Sequence, residues 1–261
     1  MTAQSGSTET DGAREARARG SDEPRDSLQA LYEDPATPVA SGPDRSRRQA
    51  RILARALGRT EPGVILDIGC GDGSAAATAA PILRPHRLVG VDWSQDALRR
   101  ANRHLTAVRG GLDDPGLPFA SGSADAVLFS EVIEHLVDPD AALDELRRVL
   151  RPGGHLLLST PNLAAWYNRA LLLGGVQPVF SEVSMRGIYG RPGKQVVGHL
   201  RLYTARALRQ MLPAAGFEVV RMSGAPYHDV PRPFRPLDRL ACHAPSLASI
   251  LLVHARRREG S

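Results

Sequence analysis

The chain has 261 residues, 42% of them hydrophobic and 23% charged, which suffices for one large domain with appendages and excludes disorder throughout. No apolar run approaches the roughly 20 residues of a membrane-spanning helix, and Met1–Gly20 lacks the apolar stretch of a secretion signal. Cys70 and Cys242 are too far apart for a disulfide framework or a zinc knuckle, so a cytoplasmic protein with no membrane partner is expected.

The net charge of +5 comes from 33 basic and 28 acidic side chains, and apart from Lys194 every basic residue is arginine. Ten arginines fall between Arg201 and the C-terminus, against Glu218, Asp229, Asp238 and Glu259. Without interleaved aromatic residues this reads as a solvated surface, and no nucleic-acid partner is expected.

Residues 1–27 are polar, aperiodic and expected to be disordered. Residues 28–60 are expected to form an N-terminal helical cap. Leu28, Leu31 and Tyr32 are candidates to cover a cleft, and a helix capped by Asp44 or Ser46 would bury Ile52, Leu53, Ala56 and Leu57. From residue 61 to 261 short apolar runs alternate with helical patterns. Strands are predicted at Val64–Ile68, Arg87–Val91, Ala107–Arg109, Ala126–Phe129, His155–Ser159 and Phe217–Met222, with a last apolar run at Ser249–His254. Helices are predicted at Ala75–Leu83, Asp96–Leu105, Asp140–Leu150 and Thr204–Ala215. Continuous apolar strands separated by helices indicate an α/β fold with a parallel sheet covered on both faces. Residues 163–200 interrupt this rhythm after the fifth strand and read as a substrate-recognition insertion, with Trp166, Tyr167, Phe180, Met185 and Tyr189 available to roof an acceptor.

The most informative stretch is Val64-Ile-Leu-Asp-Ile-Gly-Cys-Gly-Asp-Gly-Ser74, a buried strand running into three alternating glycines and then a helix. A dinucleotide loop would read Gly-x-Gly-x-x-Gly and place a pyrophosphate at the helix start. Here Asp67 would repel a pyrophosphate and suits a cation. Asp92, at the end of the next strand, can accept from both hydroxyls of a ribose. Adenosine joined to a positively charged amino acid matches both carboxylates.

This combination resembles the class I S-adenosylmethionine-dependent methyltransferases over about residues 45–225. The resemblance implies a Rossmann-like, doubly wound, seven-stranded, mostly parallel sheet and S-adenosyl-L-methionine as cofactor. It places Gly69, Cys70, Gly71 and Gly73 along the methionine moiety with Asp67 beside it, and Asp92 on the ribose. Trp93 would lie against the adenine or be a half-buried strand-end aromatic. The acidic residue usual after the third strand is replaced by Gly111, so Asp113 is the substitute for the adenine amine, with Leu112 as packing partner; Ser130 completes the cofactor set.

Glu131, Glu134 and His135 match a Glu-x-x-Glu-His segment common in this class. On a helix they would share one face at i, i+3 and i+4 and, with the distant His199, could bind a divalent cation. The resemblance also allows His135 to act as a general base without metal, with Glu131 and Glu134 as its catalytic companions. The reading that follows is transfer of a methyl group to oxygen or nitrogen of a small molecule, in secondary metabolism, by a monomer or homodimer. A metal-assisted RNA 2′-O-methyltransferase and a non-catalytic cofactor-binding protein are the alternatives.

Overall fold

In a computed structural model, residues 43–58, 62–112, 116–184, 187–191 and 198–259 are described. The expected tail, Leu28, Leu31, Tyr32, Asp113 and Met185 lie outside them. The strands are β1 (Val64–Ile68), β2 (Arg87–Asp92), β3 (Thr106–Arg109), β4 (Ala124–Ser130), β5 (Leu150–Pro161), β6 (Phe217–Ala225) and β7 (Ile250–Arg257). They form one sheet in the order β3-β2-β1-β4-β5-β7-β6. β1 to β5 pair in parallel, whereas β7 runs antiparallel to both β5 and β6. The seven-stranded, mostly parallel α/β sheet expected from the sequence is therefore present.

The helices are α1 (Pro43–Leu57), α2 (Ser74–Leu83), α3 (Gln95–Ala101), α4 (Pro139–Val149), α5 (Trp166–Leu173), α6 (Ala205–Ala214) and α7 (Arg235–Ala241). Along β4 side chains alternate between two cores. Val127 and Phe129 join Leu66, Leu146 and Leu208 on one face, while Ala126 and Leu128 join Ile65, Leu53 and Ala79 on the other. The period of two carries each strand's apolar set to both helical layers.

Several boundaries differ from the sequence expectation for local reasons. α1 starts at Pro43, so Ser46 is a buried residue within the helix instead of its cap; proline fits a first turn because its missing N–H has no partner there. α4 begins after Asp138, whose carboxylate accepts from Asp140 N and Ala141 N, with Pro139 leading the helix. α3 stops at Ala101, short of the predicted Leu105. β5 starts at Leu150, where a register shift lets Leu150 pair with Ala124 before regular pairing resumes at His155.

β1 lies between β2 and β4, which leave it in opposite directions in the strand order. A crevice forms at such a switch point, outside the carboxyl ends of the strands. The glycine loop after β1, Asp92 at the end of β2, and residues 131–135 after β4 all meet that edge.

Candidate active site

The loop after β1 is shaped by backbone that only glycine adopts easily. Gly69, Gly71 and Gly73 have φ of 74°, 55° and 77°, a region costing other residues roughly 1–2 kcal/mol. A Cβ on Gly69 would collide with Val132 Cγ2, and one on Gly73 would lie 2.6 Å from Leu105 Cδ2. The loop is fastened to β2 by Gly69 N and Cys70 N, which donate to Val91 O at 2.8 and 3.0 Å. Asp92 completes the tie, accepting from Gly71 N and Ser94 N at 2.9 Å each. Burial raises the Asp92 carboxyl above its usual range, and these backbone donors oppose the shift.

Asp67 is 3% exposed, and its Oδ2 has no hydrogen-bond partner among the described residues. Burial, reinforced by the charge of Asp92, pushes its carboxyl up to about 7. Among the described residues no ion pair reaches this carboxylate, and a ligand carrying a cation would oppose the penalty. The Cys70 thiol is also driven up, first by burial and then by Asp67 and Asp92, so it is a buried turn residue, not a reactive thiolate. Trp93 is half-buried beside Asp92, and Leu112 packs against the main core. Ser130 Oγ accepts from Gln49 Nε2 of α1 at 2.9 Å.

After β4 the chain does not enter an α-helix. Glu131 takes φ of 56°, and only a short 3₁₀ turn, Ile133–His135, follows. The expected helical face of Glu131, Glu134 and His135 is therefore absent. Glu131 accepts instead from Arg45 Nη1 at 3.1 Å and from Ser159 Oγ at 2.8 Å. A non-glycine residue in left-handed backbone is strain that surrounding contacts must hold, a pattern concentrated at functional sites.

Glu134, His135 and His199 do come together. Glu134 is fully buried, and its Oε2 accepts from Thr160 Oγ1 at 2.9 Å. Its Oε1 has no hydrogen-bond partner among the described residues and lies 4.0 Å from both His135 Nε2 and His199 Nε2. Each imidazole is oriented from behind by a main-chain carbonyl. His135 Nδ1 is 2.9 Å from Gly198 O, and His199 Nδ1 is 3.0 Å from Phe180 O. Those contacts assign the proton to Nδ1 and the lone pair to Nε2 in both rings, the arrangement that outer-shell carbonyls impose on metal-binding histidines. Burial is the main cause that lowers both imidazoles, His135 to about 3, so both rings are neutral at pH 7.

The insertion is bolted on at this point. Leu200 N and Arg201 N donate to Glu134 O, while Glu182 Oε2 accepts from Gly198 N and His199 N. Among the expected roof residues, Phe180 is buried and meets Tyr227 edge-on at 4.8 Å between ring centres, whereas Tyr189 is largely exposed. Trp166 Nε1 instead donates to Asp238 Oδ1. Arg45, Thr160 and Tyr227 were not singled out by sequence reasoning. Thr160 at the carboxyl end of β5 was the one with a usable signal, since reacting groups gather at that edge.

Residues 43–222 match the family described as Methyltransferase domain. The chain belongs to this family. It is 32% identical over 176 residues to a Mycolicibacterium smegmatis protein named "Probable S-adenosylmethionine-dependent methyltransferase", covering 66% of this chain and 59% of that one. It is 38% identical over 112 residues to a malonyl-[acyl-carrier protein] O-methyltransferase of Herminiimonas arsenicoxydans, covering 42% of each. The chain spans about half the length of the curated relatives it matches. Among solved structures, the N-methyltransferase NodS of Bradyrhizobium japonicum, in complex with S-adenosyl-L-homocysteine, shares the fold with a TM-score of 0.56 at 18% identity, over 89% of this chain and 99% of that one.

Proposed function

We propose that this chain binds S-adenosyl-L-methionine in the crevice beside the glycine loop and transfers its methyl group to an oxygen or nitrogen of a small molecule. The observation that carries the cofactor is the buried Asp67 Oδ2, an acceptor without a donor among the described residues, beside a loop of left-handed glycines. S-adenosylmethionine, when bound, supplies a cationic amino acid moiety and an electrophilic methyl group on sulfur. Asp67 favours the cationic end, the Gly69–Gly73 backbone admits the chain at close approach, and Asp92 accepts from the ribose hydroxyls. Trp93 and Leu112 border the adenine, with Asp113 as the proposed partner of its amine.

Glu134, His135 and His199 fit a divalent cation, because two neutral imidazole nitrogens and a carboxylate oxygen already face one another within 4.8 Å. A nitrogen-rich donor set favours first-row transition ions over magnesium. Such an ion would lower the pKa of an acceptor hydroxyl held against it. Glu131 remains outside this ligand set and positions the site through Arg45 and Ser159. The remaining work of the protein is orientation and exclusion of water, since the sulfonium is already a good leaving group.

Methyl-tritiated S-adenosylmethionine, offered with panels of hydroxylated, amine and carboxylate compounds in the presence of Mn²⁺, tests this reading. Label should move into a small organic product. Label recovered only in the cofactor, or only in RNA, contradicts it. A ribose 2′-hydroxyl of RNA is the second reading, favoured specifically by the convergence of Glu134, His135 and His199 on one point.

A further inference from the structure

α7 and the turn before it, Arg232–Phe234, carry their apolar side chains away from the core. Phe234, Leu237 and Leu240 recur every third residue and so share one face; they are 51%, 46% and 66% exposed. The helix is anchored by a polar residue. Asp238 is 1% exposed and accepts from Trp166 Nε1, Tyr227 N and Ser249 Oγ. Buried hydrogen bonds therefore hold a short helix with its apolar stripe turned outward, the reverse of an ordinary surface helix.

Basic side chains border the stripe. Arg232 and Arg239 are exposed on α7 and its leading turn. Ile52 of α1 packs against Ala225 of β6 and Ile250 and Leu252 of β7, the two strands that flank α7 in the chain. Arg48 is close enough to oppose the burial that raises the Cys242 thiol, just past the end of α7. The outward face of α1 carries Arg47, Arg48, Arg51 and Arg55, of which Arg47 is paired with Asp44 at 3.3 Å.

Arginines alone would suit a nucleic acid, but single strands bind where planar side chains accept stacked bases. Here two of the three protruding apolar residues are leucines. An apolar stripe flanked by arginines matches the boundary between lipid headgroups and acyl chains.

We infer that this face docks the protein peripherally on an anionic phospholipid surface, with Phe234, Leu237 and Leu240 entering the headgroup region and the arginines of α1 and α7 engaging lipid phosphates. Such contact needs no spanning helix, so it departs from the sequence expectation of no membrane partner, which rested on the lack of a spanning stretch. The inference is independent of the proposed methyl transfer, although the face adjoins that site. Tyr227, held by Asp238, packs on Phe180, and Phe180 O accepts from His199.

The test is co-sedimentation of the full chain with vesicles of equal phosphatidylglycerol and phosphatidylcholine, and with phosphatidylcholine alone, at low and high salt. Binding should be about tenfold or more tighter to the anionic vesicles and weaken with salt. The double variant Leu237→Gln, Leu240→Gln should lose about tenfold in vesicle affinity while its thermal unfolding is unchanged. Arg48→Gln with Arg51→Gln should flatten the salt dependence. Failure to bind anionic vesicles overturns the proposal, as does full binding by the leucine variant. Tighter binding to single-stranded RNA than to vesicles, or a dimer that Leu240→Gln dissociates, overturns it equally.

Discussion

Replacing Asp67 by Asn keeps the side-chain shape and removes one buried titration. In the unliganded protein the Asp67 carboxyl is raised from 3.8 to about 7, so between those values the native state holds a proton that the unfolded chain has released. Its contribution to stability is complete below about pH 4 and is lost as pH rises through 7. At about 1.4 kcal/mol per unit, the wild type loses roughly 2–3 kcal/mol between pH 5 and pH 8 that the Asn variant does not. For a domain of this size that is a relative shift of about 5–10 °C in melting temperature. Melting both proteins without ligand across this pH range reads the difference directly. With S-adenosylmethionine present this loss should shrink for the wild type. A cation beside Asp67 favours the ionised form, so affinity should rise by up to about tenfold per pH unit below 7 and then level off. Asp67→Asn should bind more weakly and show no such slope. A wild-type to variant difference that stays constant from pH 5 to 8 would show that Asp67 titrates in the ordinary carboxyl range and is not raised by burial.

If Glu134, His135 and His199 hold one ion, Mn²⁺ binding followed by electron paramagnetic resonance should be lost in either Glu134→Gln or His199→Ala. The double variant should be hardly worse, since ligands of one ion are strongly non-additive; if Glu131→Gln binds as poorly as these, the three-residue set is wrong. Gly73→Ala should destabilise the fold by about 2 kcal/mol or more in chemical denaturation, because its φ of 77° and the 3.1 Å approach of its Cβ to Ala101 Cα leave no room to relax. Asp238→Ala should cost about 2–5 kcal/mol by the same assay, leaving the Trp166, Tyr227 and Ser249 donors buried without an acceptor.

Much of this architecture is legible in the chain because local and global preferences agree. Val64–Ile68 is apolar apart from Asp67 and is followed at once by glycine, so the strand, its end and the loop can be read together. Glu131 could not be placed that way. Its left-handed backbone is held by Arg45 and Ser159, contributed from elements far away in sequence, so a helical extrapolation misses the turn. His199 is a candidate through the resemblance to methyltransferases with a later histidine after Glu-x-x-Glu-His, yet its seat depends on Glu182 and on the carbonyls of Phe180 and Glu134, which no periodicity encodes. α7 was missed altogether. It is seven residues long, contains a proline, and points its leucines at solvent while an aspartate anchors it. A search for buried apolar stripes cannot find such a helix.

Asp67, the glycine loop and Asp92 are proposed to form an S-adenosylmethionine site. Isothermal titration of the full chain with S-adenosylmethionine, S-adenosylhomocysteine and NAD, repeated with Asp92→Ala, tests it most directly. The expected result is affinity at or below about 1 μM for the two adenosyl ligands, none for NAD, and a loss of about 1–3 kcal/mol in the variant from the unpaired ribose hydroxyls. Binding of NAD with no heat from either adenosyl ligand would contradict the account.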